Sequence, residues 1–218
     1  MERRRWVLYF DEILNSITHG VGVLLSIAGL VVLLVIAATS KHGDAWQIVS
    51  FSIYGASLIL MFTASTLFHS FRKKRIKAFL NIFDHVSIYI LIAGTYTPFT
   101  LVSLRGPWGW TIFGVIWGLA IAGVVFKLFF YSDRLRLISA MIYFLMGWII
   151  LIAIGPLVRE VPAGGLYLLL AGGLIYSGGI IFYLRTTKNR FNHVVWHLFV
   201  LGGAICHFFA IFHYVPGT

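Results

Sequence analysis

Asn192-His193-Val194-Val195-Trp196-His197 opens the last apolar run of the chain, which continues to Val215. On a helix, residues four apart lie one above the other on the same face, so the imidazoles of His193 and His197 can reach one point. The run carries no Asp, Glu, Lys or Arg and is long enough to cross a hydrocarbon core of about 30 Å as helix. Two imidazoles in such a segment are costly unless something occupies them.

Similar runs recur toward the N-terminus. Together they cover roughly 20–39, 46–69, 82–103, 108–130, 137–157, 163–184 and 193–215. Of the 218 residues, 60% are hydrophobic and 11% charged, against roughly 45–50% and 25% in a soluble domain. The expected fold class is therefore an all-α membrane protein: one seven-transmembrane helix bundle over residues 1–218, with no room for a soluble domain. The alternating ten-residue segments of a β-barrel are not seen. Pro98 and Pro156 fall late in their spans, where a kink or an end is tolerable. Gly-Gly pairs at 172–173, 178–179 and 202–203 predict close helix–helix approach.

Basic residues predict the orientation. Arg3, Arg4 and Arg5 precede the first span, and Arg72, Lys73, Lys74, Arg75 and Lys77 follow the second. Lys127, Arg134 and Arg136 fall at the fourth loop, and Arg185, Lys188 and Arg190 at the sixth. Of the 17 Lys and Arg residues, only Lys41, Arg105 and Arg159 fall on the opposite side. The positive-inside rule then predicts a cytoplasmic N-terminus and an outside C-terminus. The formal net charge of +10 follows from that topology and the anionic inner leaflet, with no nucleic acid required. A cleavable signal peptide is the competing reading of residues 1–39, but the apolar run is longer than a usual h-region and a polar segment separates it from the arginines. The single cysteine, Cys206, excludes an internal disulfide and reads as apolar filler.

Of the seven acidic residues, Glu2, Asp11, Asp44, Asp133 and Glu160 are expected in termini or loops. Asp84 opens the third span and Glu12 lies just before the first. His69 ends the second span, with Ser65 one turn deeper on the same face. The second span descends toward the cytoplasm while the third and seventh start there, so His69, Asp84, His193 and His197 come to similar depth. Three neutral imidazoles plus a water make a zinc site with an open position. Such zinc lowers the pKa of its bound water to about 7, with Asp84 as base and orienter of that water. Ser65 could hydrogen-bond an oxyanion or a ligand, or simply its own helix backbone.

The bland alternative for any single intramembrane histidine is a helix–helix hydrogen bond, and for His207 and His213, further along the span, a packing or interfacial role is the favoured reading. His85 follows Asp84 by one residue and points about 100° away on a helix, which makes it a poor co-ligand. His42 is expected in a loop.

Glu12-x-x-Asn15-x-x-x-His19, Ser65-x-x-x-His69, Asp84 and His193-x-x-x-His197, in this order on these spans, resemble the progestin and adipoQ receptor family, and within it the bacterial hemolysin III branch. The resemblance covers essentially the whole chain. It implies a seven-helix bundle with cytoplasmic N-terminus and a single zinc held near the cytoplasmic side by residues matching His69, His193 and His197. An aspartate matching Asp84 would contact the zinc-bound water. It also implies a multi-pass protein of the bacterial plasma membrane, and, through the related alkaline ceramidases, hydrolysis of lipid amides. Glu12, Asn15 and His19 match the first motif without an assigned role, Asn15 being a plausible N-cap of the first helix.

The leading expectation is a zinc-dependent hydrolase of lipid amides or esters, with membrane lipid as partner, an acyl chain lying between helices, and no obligatory protein partner. The alternative is a pore-forming, cytolytic hemolysin or a non-enzymatic regulator of membrane lipid state with structural zinc. Haem held between His69 and a seventh-span histidine is a third reading, disfavoured by Asp84 beside the site.

Overall fold

A computed structural model describes residues 2–40, 43–130, 135–186, 189 and 191–215, with the side chains of residues 2–9 left out. Lys41, His42, Asp133, Arg134, Lys188, Arg190 and the tail 216–218 lie outside the described residues, as do the side chains of Glu2, Arg3, Arg4 and Arg5. The described chain is all helix: α1 (Glu2–Thr39), α2 (Ala45–Ser70), α3 (Lys74–Pro98), α4 (Pro107–Phe130), α5 (Arg136–Trp148), α6 (Ile154–Glu160), α7 (Ala163–Arg185) and α8 (Phe191–Tyr214). A π turn at Phe99–Ser103 extends α3, and a 3₁₀ segment at Ile149–Ala153 joins α5 to α6. Among the described residues, seven helical segments are long and apolar enough to cross a membrane, with α5, the 3₁₀ turn and α6 forming one of them.

Two helices start earlier than their apolar runs. α1 extends back to Glu2 rather than starting near residue 20, and α3 begins at Lys74 rather than near 82. Hydropathy locates the apolar part of a helix, whereas Glu, Arg and Lys are good helix formers that continue the backbone beyond it. Three expectations are corrected as a result. Asn15 is no N-cap: it lies inside α1, buried. Asp11, expected in the terminus, and Glu12, expected just before the first span, are both inside α1. Asp84 does not open its helix; it stands about 15 Å beyond Lys74 at 1.5 Å per residue. Lys127, expected at a loop, is buried within α4.

Helix ends follow local chemistry. Asp44 caps α2 in a capping box, its Oδ1 accepting from Gln47 N at 2.9 Å while its own N–H donates to Gln47 Oε1 at 3.2 Å. Pro156 offers no N–H and its ring disfavours a straight helix through the preceding turn. The backbone tightens to 3₁₀ at Ile149–Ala153, and Tyr96 from α3 repairs the break: its hydroxyl accepts from Ile150 N at 3.1 Å and lies 2.8 Å from the carbonyls of Met146 and Gly147.

One buried cluster joins α1, α2 and α8 through Leu33, Phe51, Tyr54, Phe62, Val200 and Ile211. A second joins α3, α4 and α5 through Tyr89, Ile112, Ile116, Tyr143 and Met146. The glycine pairs do allow close approach of α7 and α8: a Cβ on Gly179 would meet Phe199 at 2.7 Å, one on Gly203 would meet Tyr176 at 2.7 Å, and one on Gly172 would strike the His207 ring. Large apolar side chains face outward, Leu24 at 69% exposure, Ile152 at 69% and Phe129 at 76%. In water that surface would drive aggregation; against lipid tails it is at home.

Candidate metal centre

α8 carries His193 and His197 on successive turns, with ring centroids 4.7 Å apart. His69 is the penultimate residue of α2 and is buried. Its ring lies 5.1 Å from that of His193 and 4.9 Å from that of His197. One nitrogen from each of the three falls within 4.8 Å of the others, close enough to hold a metal ion. Bonds of about 2.0–2.1 Å in a tetrahedral site bring nitrogens to roughly 3.3 Å, so binding would close the cluster by a small rotation of the rings. The Nε2 atoms of His69 and His193 are buried and have no hydrogen-bond partner. Neutral imidazole nitrogens with bare lone pairs are what a borderline-soft cation requires.

The Nδ1 atoms of His69 and His197 look toward α1. His69 Nδ1 lies 2.7 Å from Glu12 Oε2, and Lys77 Nζ lies 2.9 Å from Glu12 Oε1. His197 Nδ1 lies 3.3 Å from the Asn15 carbonyl and 3.4 Å from Thr18 Oγ1, which itself donates to that carbonyl at 3.0 Å. His19 stacks on His197 at 3.6 Å and 10°, its edge against Phe62. The unassigned first motif thus surrounds the histidines. Glu12, Asn15 and His19 fall at i, i+3 and i+7, one face of α1, which is the signal in the sequence that could have announced this. Lys77 and Thr18 gave no such signal.

Asp84 and Ser65 line a cavity of about 260 Å³ that His193 and His197 also line. The Ser65 hydroxyl faces the Asp84 carboxyl. Asp84 is not a member of the tight three-histidine group, which suits a residue acting beside a metal better than one binding it. From this polar end the cavity extends past Ile88, Leu91 and Ile92 to Trp148 and Tyr176, walls that are overwhelmingly apolar. His85, set aside as a co-ligand, turns elsewhere: Nδ1 donates to the Asn81 carbonyl at 2.7 Å and Nε2 meets the Tyr183 hydroxyl at 3.2 Å. Arg136 places its guanidinium over the Tyr183 ring at 4.4 Å and also lines the cavity. His207 donates to the Leu169 carbonyl at 3.2 Å, and His213 is exposed and stacks on Phe209. His207 is a helix–helix packing residue, as expected, whereas the ring contacts of His213 are to its own helix. Cys206 is a free thiol.

The arrangement is a three-imidazole cluster with a carboxylate and a hydroxyl alongside, opening into an apolar cavity inside a membrane bundle. The profile of the Haemolysin-III related family matches residues 8–208. The chain is 50% identical over 208 residues to Hemolysin-3 of Bacillus cereus, covering 95% of this chain and 93% of that one. It is 49% identical over 204 residues to the Hemolysin-3 homolog of Bacillus subtilis strain 168, covering 94% of each. The human monocyte to macrophage differentiation factor is a more distant relative, 28% identical over 214 residues, with 94% of this chain and 85% of that one covered. The chain is a multi-pass membrane protein and belongs to the Haemolysin-III related family.

Proposed function

We propose that the chain is an integral-membrane zinc-dependent hydrolase of lipid amides or esters, with its N-terminus in the cytoplasm and its centre near the cytoplasmic face of a bacterial plasma membrane. The observation that carries this reading is the pair of buried, unpartnered Nε2 atoms on His69 and His193, beside His197, where His193 and His197 line the polar end of an apolar cavity. A buried nitrogen without a partner costs about 1–3 kcal/mol, so an occupant is expected there. Three imidazoles with a position left open are the donor set of catalytic rather than structural zinc. When bound, zinc would supply Lewis acidity and bring the pKa of water at that open position to about 7.

The chain's own residues do the rest. The apolar walls at Ile88, Leu91 and Ile92 hold an acyl chain so that its carbonyl sits at the polar end. Asp84 takes the proton that the attacking water loses as its oxygen bonds to the carbonyl carbon. It returns that proton to the leaving amine or alcohol when the C–N or C–O bond breaks. Ser65 orients Asp84 and can donate to the carbonyl oxygen. The orientation rests on the basic residues around 72–77 and 185, which favour the cytoplasmic side.

The test is metal analysis by mass spectrometry on detergent-purified protein, with hydrolysis of a panel of lipid amides and esters. Wild type should carry about one zinc per chain, His193→Ala none, and Asp84→Asn should keep metal while losing turnover. Metal-free wild type sinks the reading, and undiminished turnover by Asp84→Asn removes the role given to Asp84. The name of the Bacillus cereus relative, Hemolysin-3, favours a second reading: a cytolytic or membrane-regulating protein in which zinc is structural. Lysis that survives both chelation and loss of Asp84 would favour it over the hydrolase.

A further inference from the structure

We propose that Glu12 is the positioning residue of the metal centre: pinned by Lys77, its carboxylate holds His69 in the one tautomer that can bind a metal. The inference rests on the three histidines being a metal site. A carboxylate carries no proton to give, so at 2.7 Å from Glu12 Oε2 it is His69 Nδ1–H that donates. Of the two tautomers of the neutral ring, the one that makes this bond keeps its lone pair on Nε2, the nitrogen left without a partner. The opposite tautomer would place a proton where the ion must sit and leave two acceptors facing each other at Nδ1.

Lys77 makes the carboxylate a fixed point. Its Nζ takes Glu12 Oε1 at 2.9 Å while lying 4.8 Å over the Phe68 ring. Each oxygen of Glu12 therefore has its own partner, one from α2 and one from α3, so the carboxylate can neither rotate nor withdraw without breaking a charge-assisted bond. The same helix repeats the device on His197, whose Nδ1 faces the Asn15 carbonyl, an acceptor only. Among the described residues α1 adds none to the histidine group and sets the tautomer of two. Asn15 does this through its backbone, which substitution cannot remove, so the dependence that mutation can expose is the one on Glu12. Carboxylates behind ligating histidines raise ligand basicity as well as fixing the ring, and their loss weakens metal affinity by about 10- to 100-fold.

The experiment is cobalt(II) and zinc titration of metal-stripped, detergent-purified protein, with affinity read by chelator competition and geometry by the cobalt d–d absorption. Wild type, Glu12→Gln and Glu12→Leu are compared, with metal-free melting as the check on folding. Glu12→Leu should bind about 100-fold more weakly, with a shifted cobalt band, and Glu12→Gln, which keeps a neutral acceptor, about tenfold more weakly. Both metal-free variants should still melt cooperatively, Glu12→Leu below wild type because the buried His69 Nδ1–H loses its acceptor. Wild-type affinity and band in Glu12→Leu overturn the proposal. Should Glu12→Leu fail to fold, an unchanged Glu12→Gln overturns it alone. Wild type that takes up no cobalt or zinc defeats the metal reading itself, an outcome distinct from a metal-binding wild type indifferent to Glu12.

Discussion

Replacing Tyr96 with Phe tests how the broken fifth span is held together. The substitution keeps the ring and deletes one hydroxyl that serves the Ile150 N–H at 3.1 Å and the Met146 and Gly147 carbonyls at 2.8 Å. The Met146 carbonyl also accepts from Ile149 N, so it keeps a partner in the variant. The Ile150 N–H and the Gly147 carbonyl are left exposed to the loss. Two part-buried backbone groups in a span that offers no water in their place, at about 1–3 kcal/mol each and offset by about 1–2 kcal/mol for no longer burying the hydroxyl, leave a net cost near 2 kcal/mol. For a chain of this length that lowers the melting temperature by about 4–8 °C, read by intrinsic tryptophan fluorescence in a fixed detergent. Metal affinity should not change, because Tyr96 makes none of the contacts of the histidine cluster. A Tyr96→Phe protein that melts within about 1 °C of wild type would mean that the 3₁₀ segment satisfies its own backbone. The role given to Tyr96 would then be wrong.

Metal removal should destabilise the bundle. An ion present at 100 times its Kd adds about 2.7 kcal/mol to the folded state, so chelation should lower the melting temperature of wild type and leave that of His193→Ala unmoved. Equal shifts in both would place the effect elsewhere. Orientation is open to cysteine labelling: in a Cys206→Ser background, Lys73→Cys should react with an impermeant maleimide in inverted vesicles and not in intact cells. The reverse pattern would refute a cytoplasmic N-terminus.

Much of the site was legible because its signals are local. The four-residue spacing of His193 and His197 is a helical-face statement that needs no tertiary information. Counting spans then brings His69 to the same end of the bundle, since α2 ends where α8 begins. Asp84 was singled out because charge is rare in apolar spans, though its depth within α3 was misjudged where hydropathy stopped short of the helix start. The Glu12–His69 bond, by contrast, joins residues 57 positions apart. No composition or period encodes such a pairing; only the shared face of Glu12, Asn15 and His19 hinted at it. The Tyr96 repair was equally hidden. It spans 54 residues to Ile150, and it exists because a proline-driven break leaves backbone groups that something nearby must satisfy.

The placement of α1 ties these observations together. α1 packs against both α2 and α8, the two helices that carry the histidines. A cluster made only of α2 and α8 side chains would have its outer nitrogens facing whatever fills the gap between those helices. If that were lipid, Nδ1–H groups would be buried without acceptors, and the imidazoles would turn to find them. α1 fills the gap with Glu12, the Asn15 carbonyl and Thr18, so acceptors stand outside while the unpartnered Nε2 of His69 is left for the cluster. The polar face that delayed the apparent start of the first span is therefore the face that keeps the imidazoles of His69 and His197 turned toward His193. An apolar α1 of the same length would still span a membrane, but it would leave the histidines free to rotate away from their common point.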